Sequence, residues 1–345
     1  MRRDTRFRPE AFELLALVAF ISTVLTLLVG GLRMTPRTLG FIVRETGPFL
    51  MLFLGVGVVA NVLFRLRPAG ALRQYLQSLR SPSWLFLTLR IWVAGVLILY
   101  AYTWLKVAIP LLNERLWDAE LARLDQTIHA GLSPSRFLVA LCEGTPLLWL
   151  LDNVYAIWLP MTMSGAGFFA MTLSPRARAQ FFFSYVMIWT LGVWTYVALP
   201  ALGPALAYPW EWTTVHAELP RAFETQALLM GNYEKIVESR TTGVLRAGFN
   251  PSLGVAAMPS LHVGILVLLL LWCFRRARSL AALFLAALML TFLGSIVTGW
   301  HYAVDAYVGG VLAYVSFAAS SRVSLHLPDP EEIPRPRTPL QGVGP

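Results

Sequence analysis

M-P-S-L-H-V at Met258–Val263 and G-W-H-Y-A-V-D at Gly299–Asp305 frame the stretch on which the fold turns. From His262 the chain runs into an apolar segment, Val263–Phe274, then a short basic break at Arg275, Arg276 and Arg278. A second apolar segment follows, Leu280–Thr298. At about 1.5 Å rise per helical residue, each is about long enough to cross a hydrocarbon core of roughly 30 Å. Crossing and returning brings the chain back to the side it left. Length and charge alone therefore place His262 and His301 at one membrane face.

His301 and Asp305 are four residues apart, which on a helix stacks them one turn above the other. A carboxylate in that position fixes an imidazole tautomer, raises its basicity and stabilises its cation. His262 opposite supplies a proton donor. Helix N-termini attract anions, so two histidines and an aspartate there suit a phosphate ester. Asp305 also lies inside an apolar segment, where an ionisable side chain is costly and usually functional.

These residues resemble a family. M-P-S-L-H-V is similar to the second signature of the type-2 phosphatidic acid phosphatase superfamily, usually Pro-Ser-Gly-His. H-Y-A-V-D resembles the third. Leu261 in place of Gly, and Tyr302 after the histidine, resemble the inositol phosphorylceramide synthase branch. The resemblance implies that His301 is a nucleophile forming a phosphohistidine, with Asp305 activating it. It further implies that His262 protonates the leaving oxygen and that Ser260 contacts the phosphate. Two signatures depart from the pattern: Gly294 and Ser295 stand where the family has Ser-Arg, and Lys-x6-Arg-Pro has no match.

The composition is that of a polytopic membrane protein. It is 57% hydrophobic and 14% charged over 345 residues, whereas a soluble domain carries about 25% charge. The net charge of +9 comes from residues that punctuate apolar runs, without the aromatic-interleaved patch of a nucleic-acid binder. Partners are expected to be the bilayer, a phospholipid donor and a lipid acceptor, not nucleic acid. Histidine chemistry calls for no metal and no cofactor, and neither a metal-ligand cluster nor a phosphate-binding Gly-rich loop is legible. Cys142 and Cys273 fall on opposite sides and should not pair.

The predicted fold is all-α, a membrane helix bundle of about eight transmembrane helices around a six-helix phosphatase-type core. Residues 1–83 form an N-terminal two-span extension and 84–321 a six-span catalytic core. Expected spans are Leu14–Gly31, Phe49–Phe64, Trp84–Leu112, Pro146–Met171 and Phe181–Leu202, then the two described and Tyr302–Ala319. Loops 113–145 and 203–257 share the face of the histidines, and 322–345 is expected to be a disordered cytoplasmic tail. Connections on the side of the termini carry 16 Lys and Arg, against 10 on the other. The positive-inside rule then places both termini in the cytoplasm and the histidines outside, in a bacterial inner membrane.

A phosphate transition state needs positive partners in a dry site. Arg246 is the first candidate, followed by Lys235, Arg240 and Arg221. Lys106 and Asp152 sit in consecutive membrane helices, either as a buried ion pair or as a headgroup site. Trp117–Asp125 (W-D-A-E-L-A-R-L-D) reads as an interfacial helix with solvated charges, in preference to a substrate role. Pro200–Pro209 breaks a helix at the outer surface and can aim backbone groups at the site. Gly309 and Gly310 suggest close helix packing.

The expected activity is transfer of a phosphorylated headgroup, of phosphoinositol type, between lipids at the outer leaflet. The alternatives are hydrolysis of a lipid phosphate and a non-catalytic membrane protein, such as a transporter, that keeps the fold. Transporters of that kind commonly carry internal repeats, and none is seen here.

Overall fold

The computed structural model describes residues 8–32, 36–64, 71–242, 250 and 253–323. Fourteen α-helices occur among them. They are α1 (Ala11–Val29), α2 (Pro36–Phe64), α3 (Ala71–Leu79), α4 (Pro82–Leu112), α5 (Asp118–Ile128), α6 (Pro134–Cys142) and α7 (Pro146–Ala156). Then come α8 (Trp158–Ala170), α9 (Pro175–Ala198), α10 (Pro204–Ala207), α11 (Pro220–Thr242), α12 (Leu261–Arg276), α13 (Ala281–Val297) and α14 (Ala303–Arg322). The expected tail lies outside the described residues from 324 onward.

The starts of several helices are written in the sequence. Ser81, Thr145 and Ser174 each precede a proline, and each side chain accepts a backbone N–H of the first turn. The proline contributes a preset φ where its missing N–H costs nothing. Among the described residues, six helices are long and apolar enough to cross a membrane: α1, 47–64 within α2, α4, α9, 278–297 including α13, and α14. The chain is an integral membrane protein built as a helical bundle.

The other two expected spans depart from a simple crossing. Pro146–Met171 breaks at Ile157 into α7 and α8. Pro160 explains the break, since its ring would clash with the Ala156 carbonyl and it has no N–H to offer that oxygen. α12 has only 16 residues. It is buried along most of its length and packs against α8, α9, α13 and α14.

The expected loop 203–257 is not a loop through its middle, because α11 runs for 23 residues there. Its first turn is capped from outside: the Asp152 carboxylate accepts the N–H groups of Arg221 at 3.0 Å and Ala222 at 2.9 Å. At the opposite end of the bundle, two arginines are structural. Arg178 is buried and donates to the Ala170 carbonyl at 2.6 Å and to Thr88 Oγ1 at 2.7 Å. Arg90 pairs with Glu13 and fastens α1 to α4. Cys142 and Cys273 are both free and buried.

Candidate active site

The site is assembled where α12 and α14 begin side by side. Their contact is tight because two glycines face each other. A Cβ at Gly309 would lie 2.2 Å from the Ser260 carbonyl oxygen, and one at Gly264 would lie 2.8 Å from the Gly309 oxygen. Gly310 meets nothing within 4 Å, so only the first of the two expected glycines makes the close approach. Leu261, in the place of a smaller residue, is accommodated by Gly192 of α9, whose Cβ would sit 2.6 Å from a Leu261 methyl.

This packing brings His262 Nδ1 to 2.9 Å from His301 Nε2. His301 Nδ1 lies 2.8 Å from the Ala257 carbonyl oxygen and 3.5 Å from Asp305 Oδ2. Both neighbours of Nδ1 are acceptors, so the neutral ring carries its proton there and leaves Nε2 bare. The proton in the histidine–histidine bond then belongs to His262. Asp305 is fully buried; Oδ2 accepts the Tyr302 N–H at 2.9 Å, and Oδ1 has no hydrogen-bond partner among the described residues. His262 is fixed from behind by Trp158, whose indole N–H donates to the His262 carbonyl at 2.8 Å and whose ring meets it edge-on.

The turn carrying His301 is held by backbone bonds. The Ser295 carbonyl accepts from Trp300 N and His301 N, and the Ala205 N–H donates to the Gly299 carbonyl at 2.9 Å. Gly299 adopts φ +71° against Ala205 and Trp212, which excludes a side chain there. Ala257 N also donates to the Ala201 carbonyl at 2.9 Å. The Pro200–Pro209 stretch thus binds both signature segments through its backbone.

The interfacial-helix reading of Trp117–Asp125 needs correction. Asp118 and Asp125 are buried, not solvated. Asp118 accepts the N–H groups of Leu202 and Gly203 and the Tyr302 hydroxyl, the last at 3.0 Å. Asp125 accepts the N–H groups of Ala303 at 3.0 Å and Val304 at 2.8 Å, the first turn of α14. Burial pushes both carboxyls above the ordinary carboxylate range, and these backbone hydrogen bonds pull the other way. A signal was present: the two aspartates are seven apart, with Leu121 between them on the same helical face. A face that buries leucine buries its carboxylates too.

The remaining sequence candidates scatter. Ser260 is buried and its hydroxyl caps α12, 3.4 Å from Val263 N. Arg246 lies outside the described residues, as does the Arg240 side chain. Lys235 is exposed on α11. Lys106 and Asp152 do not form the expected ion pair, because the Asp152 carboxylate is taken by the α11 N–H groups. Lys106 instead sits between the rings of Tyr102 and Tyr196, 5.6 and 5.9 Å from their centroids. Arg221 is the candidate cation that lines the cavity beside His262. A cavity of about 400 Å³ is lined by His262, Arg221, Asp152, Tyr155, Trp158 and Trp300, among others. Tyr155 and Trp158 had not been singled out from the sequence; an aromatic in an apolar span carries no signal of its own.

Comparison with known proteins finds one family. The PAP2 superfamily model matches residues 119–319, from α5 into α14. Neither the curated proteins nor the solved structures yield a match. The matched region contains His262, His301, Asp305 and Asp125 of α5, and it spans more than half of the sequence. The chain belongs to the PAP2 superfamily.

Proposed function

We propose that the protein is a lipid phosphotransferase that works through a phosphohistidine on His301, in the manner of the inositol phosphorylceramide synthase-like branch. The observation that carries this reading is the bare Nε2 of His301 facing a proton-bearing His262 at 2.9 Å, beside a cavity with Arg221 in its wall. Superfamily membership supports lipid phosphatase or phosphotransferase chemistry in general.

In the proposed reaction the phosphoryl group of a donor lipid enters between the two imidazoles, which part to admit it. His301 Nε2 attacks phosphorus and the bond to the leaving oxygen breaks. His262 gives its Nδ1 proton to that oxygen. Asp305 and the Ala257 carbonyl hold the Nδ1–H of His301 and stabilise the charge that develops on the ring. In the second half His262 takes the proton of an acceptor hydroxyl, whose oxygen attacks phosphorus and frees His301. Water in that role would make the enzyme a phosphatase. Tyr155, Trp158, Leu159 and Trp300 give the cavity an aromatic and apolar wall, which favours a lipid alcohol over water.

The substrate contacts proposed are Arg221 and Lys106, with Ser260 acting through the N-terminus of α12. Residues 84–321 are the proposed catalytic core, with 1–83 as an extension that precedes the matched region. The charge bias supports cytoplasmic termini and an extracytoplasmic site in a bacterial inner membrane.

The test is mass spectrometry of lipids after incubating purified protein with phosphatidylinositol plus ceramide or diacylglycerol, and separately with short-chain phosphatidic acid. His301→Ala is the control. A headgroup-bearing acceptor that depends on His301 is the expected result. Free phosphate without a transfer product would assign hydrolysis, and full activity of His301→Ala would return the protein to the non-catalytic reading.

A further inference from the structure

Around His262 lies a group of polar side chains in which Lys106, already proposed as a substrate contact, is joined by tyrosines that the proposed reaction does not use. Tyr155 of α7 packs 5.0 Å from the His262 ring and stacks near Trp300 at 6.3 Å. It lines the cavity, while its hydroxyl is buried and has no hydrogen-bond partner among the described residues. An unpaired hydroxyl in a helix bundle is expensive. The Tyr102 and Tyr155 hydroxyls are close enough to act on each other electrostatically, as are Tyr155 and Tyr196. Lys106 stands over the rings of Tyr102 and Tyr196 and within electrostatic range of His262. No carboxylate pairs with its ammonium among the described residues.

The folded protein therefore gathers one half-buried cation without a counterion and a buried donor without an acceptor around one catalytic-type imidazole. What that set lacks is an anion. Tyr155 gains its place from Gly294, whose Cβ would come within 3.3 Å of the Tyr155 Cβ and of the Leu151 carbonyl oxygen. Gly254 plays the same part for Lys106, since a Cβ there would lie 2.8 Å from Lys106 Cγ. Both side chains are held in position by glycines on neighbouring segments.

We infer that Lys106 and Tyr155, with Tyr102 and Tyr196 around them, form an inner anion site that holds the non-bridging oxygens of the substrate phosphate once the histidines part. The inference deepens the reading of His301 and His262 as a phosphoryl-transfer pair and rests on it. Tyr155 supplies a neutral donor and Lys106 the charge, so the site takes a phosphate group and discriminates against a neutral ester. No covalent step is added; both residues bind and orient.

Tyr155→Phe is the discriminating variant, because it removes one oxygen that has no partner in the fold. Its melting midpoint in detergent should equal the wild type's. Turnover of short-chain phosphatidic acid or phosphatidylinositol should fall about 10- to 100-fold, the range for one hydrogen bond to a charged group. Inorganic phosphate should raise the melting midpoint of the wild type and of His301→Ala, and raise it less for Tyr155→Phe and Lys106→Met. Turnover within twofold of wild type, unchanged phosphate protection in both variants, or no protection of the wild type would each overturn the inference. So would a lowered midpoint for Tyr155→Phe, which would show that the fold itself uses the hydroxyl. Phosphate protection that depends on Tyr155, in a protein that turns over no lipid, would uphold the anion site and refute the catalytic reading.

Discussion

Replacing Asp125 by Ala tests whether α5 sets the geometry of His301 from a distance. The side chain is 5% exposed and its two oxygens accept the N–H groups of Ala303 and Val304. These residues open α14 directly after His301 and Tyr302. Truncation strands two buried donors, at about 1–3 kcal/mol each. Part of that is recovered because an ionised carboxylate no longer has to be kept out of water, the burial effect that pushes the Asp125 carboxyl up. A net loss of about 2–4 kcal/mol follows, in line with or above a lost N-cap of about 0.5–2 kcal/mol. The loss is concentrated in the first turn of α14, so His301 shifts relative to His262. A misplacement of about 1 Å costs on the order of 100-fold in rate. Detergent-solubilised Asp125→Ala should therefore melt earlier and lose turnover of a lipid phosphate, with KM less affected than kcat. Asp125→Asn, which keeps one acceptor oxygen, should fall between. A melting midpoint and a kcat both indistinguishable from wild type would refute the clamp.

Three further outcomes are expected. Gly309→Ala places a methyl 2.2 Å from the Ser260 carbonyl and should force α12 from α14 and abolish turnover, whereas Gly310→Ala, in open space, should be silent; equal effects would contradict the packing. Lys106→Met and Asp152→Asn should be additive in a double-mutant cycle, with coupling below about 0.5 kcal/mol, because Asp152 caps α11 and does not pair with Lys106; strong coupling would restore the ion pair. The raised Asp125 carboxyl means that the folded protein holds a proton that the unfolded chain has released above its ordinary value of 3.8. Stability from this group should fall as pH rises from about 4 through the raised value and then level off. The midpoint advantage of wild type over Asp125→Asn should accordingly narrow as pH rises above about 4, and a widening gap would reverse the sign.

The sequence carried the parts of the fold that follow from length and polarity. Two apolar runs around a basic break are enough to return His301 to the side of His262, and the structure joins their rings at 2.9 Å. Ser-Pro and Thr-Pro pairs marked where α4, α7 and α9 begin. What escaped depends on contacts between distant segments. Asp152 and Lys106 looked like partners because both are charges in consecutive spans; the N–H groups of α11, about 70 positions further on, had the stronger claim on the carboxylate. The segment 203–257 before the Met258 signature reads as a loop because the cap of α11 lies on another helix. Pro160 divides a span that composition alone reads as continuous. At Trp117–Asp125, charge is a poor sign of solvent, because the spacing of Asp118, Leu121 and Asp125 puts all three on one face.

The central claim is that His301 becomes phosphorylated. Wild-type protein quenched during turnover of a radiolabelled lipid phosphate, digested under alkaline conditions and analysed by mass spectrometry, should carry an acid-labile phosphoryl group on the peptide containing His301. His262→Ala should slow both the appearance and the release of that label, and His301→Ala should show none. Turnover by the wild type with no phosphorylated peptide, or with label unchanged in His301→Ala, would contradict the account.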